Sequence, residues 1–104
     1  MENRKYELRI LPLFEEKFAE IVGYIAYKLQ NPITAADFVD AVETAIYERL
    51  DAPEAFEPYP SKKDRRHTYY AIPVKNYFVF YVVIENVMEV RTIVYNLRDI
   101  SKII

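Results

Sequence analysis

Cysteine and tryptophan are missing from this chain of 104 residues, and it has one glycine and one histidine. Without cysteine there is neither a disulfide framework nor a thiolate nucleophile, a composition that suits a reducing compartment. A single glycine, Gly23, rules out a glycine-rich phosphate loop. His67 has no companion histidine or cysteine, so neither a metal site nor a cofactor is expected. The carboxylates show no hydrolase-like pairing, and no Ser/His/Asp constellation can be read. No run of about 18 apolar residues and no basic-then-apolar leader is present, so the expected address is the cytoplasm, without membrane insertion.

What is present is a chain 52% apolar and 29% charged, the balance of an ordinary globular protein. Its length suits one domain spanning 1–104. Net charge is −2, but the two parts differ. Residues 1–60 hold six Lys/Arg and twelve Asp/Glu, a balance of −6; residues 61–104 hold eight and four, a balance of +4. An acidic helical side and a basic sheet side follow from that split.

Lys5 to Leu11 alternates, with Tyr6, Leu8 and Ile10 on one face, and predicts a half-buried strand. Pro12 suits the first position of a helix whose stripe runs Phe14, Phe18, Ile21, Val22, Ile25 and Leu29. Asn31-Pro32 breaks the pattern. Thr34-Ala35-Ala36-Asp37 then resembles a capping box for a second helix carrying Phe38, Val42, Ala45, Ile46 and Leu50. Three prolines, Pro53, Pro58 and Pro60, keep Asp51 to Arg66 irregular. Strands are predicted at His67–Pro73, Tyr77–Ile84 and Val87–Tyr95, with Glu85-Asn86 turning between the last two. The order is β-α-α-β-β-β, an α+β fold with a helical hairpin on one face of a mostly antiparallel four-stranded sheet. Tyr77–Ile84 is apolar at every position, so the face away from the helices needs a second layer, another chain or a cleft over it.

This order resembles the RelE/ParE superfamily of bacterial toxins from type II toxin–antitoxin modules. The likeness spans nearly the whole chain. It is most specific in Ile72-Pro73-Val74-Lys75-Asn76-Tyr77 with Phe80-Tyr81, and in Tyr95-Asn96-Leu97-Arg98-Asp99-Ile100. The resemblance implies a growth inhibitor of the plasmid-stabilisation type, neutralised by a cognate antitoxin, as a homodimer or a heterotetramer with it. Its target would be DNA gyrase, as for ParE-like members, or mRNA on the ribosome, as for the metal-independent RelE-like endoribonucleases. An inactive antitoxin-binding or dimerising module is a third reading.

The candidate catalytic residues are Arg98, Arg91, Lys75 and Tyr95, because a 2′-hydroxyl attack on phosphate needs fixed cations and a proton carrier. Arg98 matches the family's arginine after the last strand. Arg65, Arg66, Tyr77 and Tyr81 are candidates for contact with RNA or a partner. Arg91 stands two residues after Glu89, so a surface ion pair is an equal reading. The charged run at 62–67 also reads as a solvated loop. Phe78 stands where the well-studied nucleases carry an arginine, and Tyr70-Ala71 where many members carry another. These departures favour a ParE-like, non-nucleolytic action.

Overall fold

Alternation in the N-terminal segment becomes strand β1, Glu7–Ile10, and Pro12 starts helix α1, Pro12–Gly23, at its first turn. In the computed structural model, the described residues are 5–60 and 66–96. Helix α1 runs on as a π-helical turn, Tyr24–Lys28, before helix α2, Pro32–Arg49. Strands β2 (Tyr69–Val74), β3 (Tyr77–Ile84) and β4 (Val87–Tyr95) follow. The sheet order is β1-β4-β3-β2, with β1 parallel to β4 and the other pairings antiparallel. The expected α+β architecture, two helices on a mostly antiparallel sheet, is what the chain adopts.

Strand β1 is shorter than the Lys5–Leu11 alternation, and two further boundaries differ from the sequence reading for physical reasons. Helix α2 begins at Pro32, and Asn31 is its cap: the Asn31 side-chain oxygen accepts the Thr34 backbone N–H at 3.2 Å. Thr34 therefore lies inside the helix. Proline's fixed φ and absent N–H suit that first position, so the segment read as a break is a start. Strand β2 runs from Tyr69 to Val74 and keeps Pro73 within it. That is tolerated because β2 is an edge strand, where a missing donor costs no ladder bond.

The helix-facing core joins Phe14, Phe38, Val42 and Ile46 to Val79, Tyr81, Met88, Val90 and Ile93. The opposite face of the sheet forms a second cluster around Tyr69, Phe80, Val82 and Val94. Phe80 and Val82 have no exposed surface, and the Tyr59 ring from the proline-bearing segment meets Phe80 edge-on at 5.3 Å. An open aromatic cleft is thus not found at these two residues. The surplus apolar face is closed by packing within the chain.

Lack of glycine has a structural consequence. Gln30, Lys75, Glu85 and Asn96 all have φ between 51° and 57°, the left-handed region. Gly23 instead sits mid-helix at φ −62°, with nothing within 4 Å of a β-carbon built on it. Gly23→Ala is expected to stabilise the fold by about 0.8 kcal/mol, since a helical alanine loses less backbone entropy. A rise in melting temperature of about 3–6 °C checks it.

Candidate functional site

Pairing across the sheet aligns Tyr69 with Val82, Val82 with Glu89, and Glu89 with Arg9. Partners directly opposite share a face, so these four residues form one row on the side away from the helices. At its centre Glu89 is 6% exposed. Its carboxylate accepts Arg9 Nη1 at 3.1 Å on one oxygen and Arg91 Nε at 2.9 Å on the other. Arg91 Nη1 donates in turn to the Tyr69 hydroxyl at 2.9 Å, with the guanidinium 5.6 Å from that ring's centroid.

A β-bulge sets this geometry. Phe80 faces Thr92 while Tyr81 faces Val90, which leaves Arg91 as the extra residue of β4. The bulge resets the alternation, so that Ile93 and Tyr95 lie on the helix side and Arg91 turns toward Glu89. Burial pushes the Glu89 carboxyl up, but the hydrogen bonds and charges of Arg9 and Arg91 outweigh it. The net result lies below the usual carboxylate range. Burial likewise pulls Arg91 down, and its bonds to Tyr69 and Glu89 more than reverse that.

A second group occupies one end of the sheet. The Asn96 backbone N–H donates to the Asn76 carbonyl at 2.9 Å, tying the end of β4 to the β2–β3 turn. Lys75 stands exposed on that turn. The Tyr77 ring packs between Phe38 at 5.0 Å and Tyr95 at 5.2 Å, and burial raises its hydroxyl pKa. Tyr95 is more than half exposed. A cleft of about 280 Å³ opens here, walled by Lys17, Glu20, Ile21, Tyr77 and Tyr95.

Lys75, Tyr77 and Tyr95 therefore share one end of the sheet, Tyr77 and Tyr95 on the helix side, while Arg91 lies on the other face. Arg66 is exposed before β2. Arg65 and Arg98 lie outside the described residues. Tyr81 is placed otherwise than as a surface for stacking. It has no exposed surface, stacks on Tyr70 at 5.2 Å, donates its hydroxyl to the Pro53 carbonyl at 2.7 Å and accepts from Arg49 Nη1 at 2.9 Å. Burial raises its pKa despite Arg49.

Arg49 itself was missed in the sequence reading. It reaches the Ala71 carbonyl at 3.4 Å and lies 3.6 Å over the Phe56 ring, clamping the proline-bearing segment to helix and sheet. The signal was available, since Arg49 follows Val42 and Ile46 on the buried stripe of α2.

Among the described residues no group of three or more His, Cys, Asp or Glu could hold a metal ion, and no helix is long and apolar enough to cross a membrane. No curated protein matches the chain in sequence. A solved structure described as the chromosomal ParDE toxin–antitoxin system from P. aeruginosa shares the fold. Its TM-score is 0.75 at 10% identity, covering 91% of this chain and 100% of the other. The model of the family described as the ParE toxin of type II toxin–antitoxin systems matches residues 8–100. With nearly the whole chain matched, the protein belongs to the ParE toxin family.

Proposed function

We propose that this toxin arrests growth by acting on DNA gyrase, without cutting RNA, and that a cognate antitoxin holds it inactive. The observation that supports this is the state of Arg91. A nuclease of this kind needs a cation free to meet the charge developing on phosphorus. Arg91 instead gives its guanidinium to Glu89 and Tyr69, on the opposite face from Tyr95. Phe78, at the position where nucleases carry arginine, packs against the apolar cluster of the outer face and offers no charge. Loss of one preorganised charge costs on the order of 10²–10³ in rate.

The test is induction in a bacterial host without antitoxin, with mRNA 5′ ends mapped and gyrase supercoiling assayed in parallel. Gyrase-linked DNA breaks with intact mRNA are expected. Codon-phased cleavage that disappears in Arg98→Ala would establish the RelE-like endoribonuclease instead. Absence of any growth defect would leave only an antitoxin-binding module.

A further inference from the structure

Helix α1 buries one stripe of side chains and leaves a second one bare. Phe14 and Ile25 are buried, with Phe18 and Ile21 packed against the same cluster, and these fix the side that faces the sheet. Leu13, Lys17, Glu20 and Tyr24 recur at spacings of four, three and four, so they share another stripe about a third of a turn around the helix. Leu13 and Tyr24 are each about half exposed. Lys17 and Glu20, between them, wall the cleft that Tyr77 and Tyr95 border from the sheet. Among the described residues neither the Lys17 nor the Glu20 side chain makes an ion pair or a hydrogen bond within the chain.

We propose that this stripe is the contact of a two-fold symmetric dimer, in which α1 of one copy lies antiparallel to α1 of a second. In such an interface residue i meets j of the other copy, and j meets i. Set the axis midway between Lys17 and Glu20. Lys17 then faces Glu20 of the second copy and Glu20 faces its Lys17, while Leu13 faces its Tyr24 at either end, because both pairs share one midpoint. Read backwards, the order apolar, cation, anion, apolar becomes its own complement. A stripe of one sign would repel its copy and select a different partner, and a parallel array would oppose like charges. Leu13, Tyr24 and the neighbouring Tyr95 bring the apolar contact to about 500 Å² per copy, at about 150–250 Å² for a fully buried aromatic side chain. That is below a standard tight interface, so the dimer is reversible, with a dissociation constant on the order of 10 µM. The apolar ends supply the attraction and the two charge pairs set the register. The inference stands apart from the gyrase reading, since it concerns self-association alone.

Sedimentation equilibrium of the full chain at about 1–100 µM and about 20 mM salt tests it. The parent is expected to pass from monomer to dimer across that range. Lys17→Glu and Glu20→Lys, each alone, oppose like charges at both pairs and are expected to weaken self-association at least about tenfold. An equimolar mixture of these two variants restores opposite charges at both pairs, so it is expected to dimerise within about threefold of the parent. That association also shows both variants to be folded. Leu13→Ser is expected to weaken the dimer about tenfold without touching its charges. A parent that stays monomeric throughout would overturn the proposal. So would single variants that associate like the parent, a mixture no stronger than either variant alone, or a Leu13→Ser dimer of undiminished strength.

Discussion

Tyr81→Ala is expected to lower the unfolding free energy by about 4 kcal/mol, and Tyr81→Phe by about 2 kcal/mol. The larger loss combines a cavity beneath α2 with loss of the ring stack on Tyr70. The smaller isolates the hydroxyl, which accepts from Arg49 and donates to the Pro53 carbonyl. Removing it strands a buried carbonyl and a half-buried guanidinium, and a stranded polar group costs its full desolvation. Arg49→Ala loses the same bond and the Phe56 contact as well. Losses in Tyr81→Phe and Arg49→Ala should therefore fall short of additive when combined, by about 1 kcal/mol. Urea unfolding of the two single variants and the double variant measures this. Additive losses would mean that Tyr81 and Arg49 act separately.

Glu89→Ala is expected to cost about 3 kcal/mol, because it leaves Arg91 without its carboxylate on a largely buried site. Arg9 contributes less to that loss, as its side chain is 55% exposed and returns readily to water. The lowered pKa of Glu89 also sets the sign of an acid effect. A carboxyl ionised more readily when folded adds stability that is fully present above its unfolded pKa. That stability is lost as pH falls through the lower folded value. Unfolding curves from about pH 6 down to about pH 3 should show this acid limb in the parent and a shallower one in Glu89→Gln. An equally steep limb in Glu89→Gln would assign the acid sensitivity to other carboxylates.

Element types were readable where a single physical signal dominated. The unbroken apolar run Tyr77–Ile84 with its Glu85-Asn86 turn gave β3 and β4 with their boundaries. The α2 start went astray because Asn31-Pro32 carries two messages, a disfavoured helix before proline and a favoured one after it. Tyr81 was misplaced because alternation tells which residues share a face but not which face a helix will cover. Among the site residues, the Glu89–Arg91 pair followed from its spacing. The partners Arg9 and Tyr69 did not, since they come from strands 80 and 22 residues distant. The bulge that puts Arg91 and Tyr95 on opposite faces left no mark in the apolar pattern, because Val90, Ile93 and Val94 suit either phase.

The parallel pairing of the first strand with the last has a kinetic meaning. Arg9 and Glu89 are separated by 80 residues, so β1 finds its ladder partner only after that intervening stretch has been made. Until then Leu8 and Ile10 have nothing to pair with, and closing so long a loop is entropically slow. The helical hairpin and the β2–β3–β4 meander can form from local contacts during synthesis, but the sheet is completed last. In a chain of the ParE toxin family this order is a delay: the apolar side chains of β1 wait unpaired until β4 has been made and has folded back beside them.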